Sequence, residues 1–198
     1  MSKAVIFFAQ GLEECEALLC VDILRRAGVE VTIAAVGGER IVTSARQVNV
    51  VADALAELKA IKVSRSKPGF VIGSDQTLEF EGKLYDKAET VDGAAERLRT
   101  MRGKPHKLHS AVVVAKDGAP IWREIVSATL TMRDFSDEFL ASYLELEGEE
   151  ALGSVGCYRL EGPGAQLFSK IEGDYFAILG LPLMGLLDLF RRHGVLAA

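Results

Sequence analysis

Residues 3–36 read KAVIFFAQGLEECEALLCVDILRRAGVEVTIAAV, and their changing period sets the fold class. KAVIFFA is an unbroken apolar run, as in a strand buried on both faces. From Leu12 the spacing becomes helical, with Leu12, Cys15, Leu19, Ile23 and Ala27 on one stripe. Glu13, Glu14 and Glu16 open that stripe, Arg25 and Arg26 close it and Gly28 follows, an order that suits the helix dipole and a C-terminal cap. VEVTIAAV is a second strand. The unit is therefore β-α-β, and the chain is expected to be α/β.

Working outward, Gly37-Gly38 turns the chain into ERIVTS and VNVVAD, both strand-like. Asp53 is expected to cap a helix over 54–65, which Lys67-Pro68-Gly69 stops. FVIG (70–73) is a buried strand, followed by a hairpin turning at Glu81-Gly82 and a helix over 91–102 closed by Gly103. Residues 109–133 form two long strands around Asp117-Gly118. Ser136 starts a helix, CYRLEGPG contains a strand opened by Cys157, YFAILG (175–180) is read as a strand, and Pro182 opens a last helix. No Gly/Ser-rich linker interrupts residues 50–60, so 1–198 is expected to be one domain.

Composition narrows the function. With 23 basic and 28 acidic residues among 198, the formal charge is −5, against a grip on polymeric nucleic acid but not against a small phosphorylated ligand. The apolar runs at 176–187 are broken by Gly180, Pro182 and Gly185, short of the roughly 20 residues of a membrane span. No secretory signal is recognisable, so a cytoplasmic location is expected. Cys15, Cys20 and Cys157 form neither a disulfide framework nor a metal set; the first two are turned about 140° apart on a helix. His106 and His109 fall on opposite faces of one strand, which argues against a joint metal site.

Asp75 is the most suggestive single residue. It directly follows FVIG, and carboxyl ends of strands in open α/β sheets are where ligands bind. A carboxylate there can hold Mg²⁺ or orient a water, although capping the hairpin is the ordinary role of such an aspartate. Lys59 and Lys87 are the candidate phosphate partners, as flexible point charges.

The segments IGSDQTLEFEGKLYDK (72–87), GKPHKLHSAVVV (103–114), TLTMRDFS (129–136), SYLE (142–145), YRLEGPGAQLFSKIEGD (158–174) and ILGLPL (178–183) occur in the order found in the Maf family, which the chain resembles over about 54–196. The resemblance implies an inosine-triphosphatase-like fold and a Mg²⁺- or Mn²⁺-dependent nucleoside triphosphate pyrophosphatase. It makes Asp75 the metal-binding or base carboxylate, Lys59 and Lys87 the lysines facing the triphosphate, and Gln76 and Glu161 substrate-binding residues. SDQ and LEG are similar to the branch acting on 7-methyl-GTP. A nucleotide is then the expected partner, and a homodimer is compatible with it.

Three departures from the family pattern stand out, one being that the family's G-K-P around the second lysine reads D-K-A at residues 86–88. Where Maf proteins carry a loop of the type A-S-x-S-P-R-R, this chain reads FFAQGLEECE, and Arg25 and Arg26 lie about 21 Å along a helix from Gly11. Residues 1–53 resemble instead the opening of the ThiJ/PfpI family, with Glu16 where that family keeps a glutamate beside its reactive cysteine. The combination implies a natural or engineered join near 52–58, with activity impaired by the missing arginine loop. A non-catalytic scaffold or nucleotide-binding module is the alternative, and a ThiJ/PfpI-type thiol enzyme the disfavoured third. All three cysteines are expected to be sluggish nucleophiles.

Overall fold

The structure, a computed structural model, describes residues 3–8, 30–35 and 50–197. Strands β1 (Lys3–Phe8) and β2 (Glu30–Ala35) pair in parallel, Lys3 opposite Glu30 through Phe8 opposite Ala35, as expected of a β-α-β unit. The helix expected over 12–27, with Glu16, Cys15 and Cys20, lies outside the described residues.

The rest is built on an antiparallel sheet ordered β4-β3-β5-β6-β7, comprising β3 (Phe70–Phe80), β4 (Lys83–Tyr85), β5 (Pro105–Lys116), β6 (Ala119–Met132) and β7 (Phe168–Glu172). β5 is central and covered on both faces, which explains the unbroken apolar run from Ala111 to Ala115. Both expected hairpins form. Each turns on two residues of positive φ, Glu81 (50°) with Gly82 (74°) and Asp117 (52°) with Gly118 (82°), matching the right-handed twist of the strands.

One face of the sheet carries α1 (Val50–Ser64). Its Ala52, Ala56 and Ala60 pack on Ala111, Val113 and Ala115. Contact is closest at Gly73, where a Cβ would lie 2.1 Å from the Ala56 carbonyl oxygen. α1 begins at Val50, so VNVVAD is not wholly a strand and Asp53 is not an N-cap. Asp53 instead points at the sheet, where it and Glu57 accept hydrogen bonds from Arg123 of β6 at 2.6 and 2.7 Å. Two buried carboxylates sharing one guanidinium fix the rotation of the helix.

The opposite face splits in two. At one end, α2 (Val91–Met101) and α3 (Asp137–Glu147) bury Leu98, Met101 and Leu140 against Leu78, Phe80 and Leu130. Ser136 caps α3 as expected, its hydroxyl accepting from the Phe139 N–H. At the other end, α4 (Tyr175–Ile178) and α5 (Leu183–Arg192) cover the sheet, with Leu186 and Leu189 against Val114. YFAILG is thus not a strand: Asp174 accepts from the Ala177 N–H and starts a helical turn. Nor does Cys157 open a strand, since its φ of 61° takes the chain through a left-handed corner. Among the described residues no helix is long and apolar enough to cross a membrane.

Gly73→Ala is expected to cost about 1–3 kcal/mol, because the new methyl must push α1 off the sheet; urea denaturation measures it.

Candidate functional site

Strand β3 does not stop at Gly73. It continues to Phe80, so Asp75 lies inside a strand and not beyond its carboxyl end. What makes the position accessible is the length of the neighbour. β4 pairs only with Leu78, Glu79 and Phe80, and no described strand pairs with Phe70–Thr77 along that edge. The Asp75 side chain turns to the face covered by α1, where Lys59 meets its carboxylate and also donates to the Ser74 carbonyl at 3.1 Å. Lys59 sits in the middle of α1, between Ala56 and Ala60, and its side chain stays more than half exposed. A carboxylate and an ammonium thus stand together at a strand edge that no described strand covers, an arrangement that can meet both a water and a phosphate.

Gln76, next in the chain, necessarily faces the other way. Its Nε2 donates to Ser110 Oγ (2.8 Å) and to the carbonyls of Ala177 and Ile178 (3.0 Å each). Ser74 and Ser110 donate to the carbonyls of Gly180 and Ala177, each at 2.6 Å. These polar side chains add to the bonds at the end of the short helix α4, where the Ala177 carbonyl also accepts from the Gly180 N–H at 2.9 Å. Gln76 also lines a concavity with Gly156, Tyr158, Arg159 and Glu161. The structure therefore joins Lys59 to Asp75 on one side of β3 and places Gln76 and Glu161 in the lining of one concavity on the other. Lys87 is exposed, two residues beyond the end of β4.

A model of the Maf-like protein family matches residues 21–193. A nucleoside triphosphate pyrophosphatase of Caulobacter vibrioides is 63% identical over 146 residues, covering 74% of this chain and 73% of that protein. The chain belongs to the Maf family of enzymes. Another Maf relative, a nucleoside triphosphate pyrophosphatase of Paramagnetospirillum magneticum, is 46% identical over 181 residues, 88% of this chain and 93% of that protein. A 7-methyl-GTP pyrophosphatase of Brucella suis is 46% identical over 178 residues, 86% and 89% respectively. The Maf match begins at residue 21, so the join expected at 52–58 lies inside it. The second and third alignments likewise cover too much of the chain to fit downstream of such a join. The ThiJ/PfpI assignment of 1–53 gains nothing from these relatives.

Other polar groups of this Maf chain were not legible in its sequence. On the Asp75 side of the sheet, His109 stands between Glu79 (Nε2 to Oε2, 3.0 Å) and Ser127 (Nδ1 to Oγ, 2.7 Å), a constellation spread over three strands. His106 faces the other side, as its spacing from His109 requires, and meets the Tyr158 hydroxyl at 2.6 Å. Arg159 reaches Glu147 (2.6 Å) and Glu150 (3.2 Å), fixing the rim of the concavity from below. Cys157 is fully buried and burial pushes its thiol up, which agrees with the expected poor nucleophilicity. No group of three or more metal-ligating side chains occurs among the described residues. Asp75 alone still fits Mg²⁺, which is commonly held by one or two carboxylates together with substrate phosphates.

His106 supports Tyr158 in the concavity wall and generates a pH test. Burial lowers its pKa from 6.5 to about 4. Below pH 6.5 the unfolded chain takes up a proton that native His106 refuses, so stability is full above that pH and is lost as pH falls toward 4. Between pH 7 and pH 5 the wild type is expected to lose about 2 kcal/mol more than His106→Gln, measured by urea denaturation.

Proposed function

We propose that this protein hydrolyses a nucleoside triphosphate to a nucleoside monophosphate and pyrophosphate at the edge of β3 that carries Asp75. The observation that carries the proposal is the Lys59–Asp75 pair at that edge, with Gln76 and Glu161 lining one concavity on the other side of the same strand. In this reaction water adds to the α-phosphorus, the bond to the bridging oxygen breaks and pyrophosphate leaves. Asp75 is assigned the metal-binding or water-activating role. Lys59 and Lys87 neutralise the charge that develops on the phosphate oxygens. Mg²⁺ or Mn²⁺, when bound, withdraws further charge from the phosphates. Substrate phosphates and Asp75 would hold the ion.

The base is assigned to the concavity, and 7-methyl-GTP is the preferred substrate. A methylated guanine carries positive charge, which favours the exposed Glu161 carboxylate. Gln76, immobilised through its Nε2, keeps its carbonyl oxygen as an acceptor of fixed position. The naming of two Brucella relatives as 7-methyl-GTP pyrophosphatases, at 46% and 45% identity, supports the same choice. The FFAQGLEECE stretch, which lacks the family's serine-arginine loop, is expected to lower the rate.

Pyrophosphate release, followed over a panel of nucleotides with and without chelator, tests the reading. Asp75→Asn is expected to reduce kcat by about 10²–10³. Glu161→Gln is expected to raise KM for 7-methyl-GTP more than for GTP. Undiminished turnover by Asp75→Asn would remove Asp75 from the mechanism.

A further inference from the structure

Lys87 is exposed, yet the chain on both sides of it is fastened. The Asp86 carbonyl accepts a hydrogen bond from Arg97 Nη1. The Ala88 N–H faces the Cys157 sulfur. Arg97 comes from α2, where it stands beside the apolar stripe of Ala94, Leu98 and Met101. The same Nη1 donates to the Val155 carbonyl at 2.7 Å and lies 3.9 Å from Cys157 Sγ, while the guanidinium covers the Tyr85 ring at 5.2 Å. Val155 sits between Ser154 and Gly156, both of which line the concavity with Gln76 and Glu161.

We propose that Arg97 is a positioning residue, which sets the separation between Lys87 and the Ser154–Glu161 rim through one nitrogen shared by the Asp86 and Val155 carbonyls. The inference rests on the assignment of Lys87 to the triphosphate and adds the group that makes that lysine effective. Residues 86–88 belong to no helix or strand, so their backbone groups need side-chain partners to be held in place. A lysine ammonium hangs on a flexible four-carbon stem, and its reach is only as well defined as its Cα. Arginine suits the task, because one terminal nitrogen carries two N–H donors for the two carbonyls while the planar guanidinium lies over Tyr85. The corner at Cys157, with φ of 61°, turns the buried sulfur toward Ala88 and closes the clamp from the second side.

Arg97→Ala and Arg97→Lys, each alone and combined with Lys87→Ala, form the test. In the pyrophosphate assay Arg97→Ala is expected to lower kcat/KM by about 10²-fold, the scale of a 1 Å misplacement. In the Lys87→Ala background it should cost almost nothing further. Free guanidinium ion should restore part of the lost kcat/KM. Trypsin should cut the Lys87–Ala88 bond of the folded Arg97→Ala protein faster than in wild type, read by mass spectrometry. Arg97→Lys, which keeps the charge but not the planar face on Tyr85, should show the same cycle more weakly and carries the test should the alanine variant not fold. An equal loss in both backgrounds, or full activity of Arg97→Ala while Lys87→Ala is impaired, would overturn the clamp. Full activity of Lys87→Ala beside an inactive Asp75→Asn would overturn the Lys87 assignment, and the clamp with it.

Discussion

The contact on which the site depends is backbone against backbone. At Gly73 the helix α1 lies so close to β3 that no side chain fits between them, since a Cβ there would fall 2.7 Å from the Ala60 nitrogen. Small residues on both partners permit this: Ala56 and Ala60 on the helix, glycine on the strand. Lys59 lies between those alanines in sequence, and the shallow interface lets its stem run along the edge of the strand to Ser74 and Asp75. A thicker interface would lift the ammonium away from the carboxylate by a corresponding amount. Arg123, gripping Asp53 and Glu57 across the sheet, fixes the helix about its own axis. Distance and rotation of α1 are thus set by separate devices.

The second determinant is the alternation of a strand. Asp75 and Gln76 are neighbours in the chain but belong to different faces, each with its own set of covering elements. The edge of β3 that no described strand covers borders both faces at once. Lys59 and Asp75 then stand on the α1 side, while Gln76 faces the Gly156–Glu161 segment.

Much of this was legible in the sequence, and the misses have physical causes. The two hairpins were marked by Glu81-Gly82 and Asp117-Gly118, whose positive φ values the structure displays. The Ser136 cap and the opening of the last helix at Pro182 follow from local chemistry alone. Asp53 misled because a capping residue near a helix start looks the same as one drawn inward by a distant arginine. YFAILG misled because four apolar residues cannot be told from a short strand when the capping Asp174 is overlooked. FVIG seemed to end at the polar SDQ, but those polar side chains serve the helix α4 and the site without interrupting the ladder to β5. Long-range groupings such as Glu79–His109–Ser127, or Arg97 with Asp86, leave no local trace at all.

The edge of β3 that no described strand covers also has a cost outside catalysis. An unpaired strand edge invites another chain to add itself as a further strand, and proteins guard such edges with charge and with breaks in regularity. Here Pro68 and Gly69 precede the edge, and β4 meets it only over its last three residues. Between those ends, Lys59 occupies the Ser74 carbonyl and Asp75 adds its charge. Lys59 and Asp75, the groups proposed for the reaction, thus also place charge along an edge that no described strand covers.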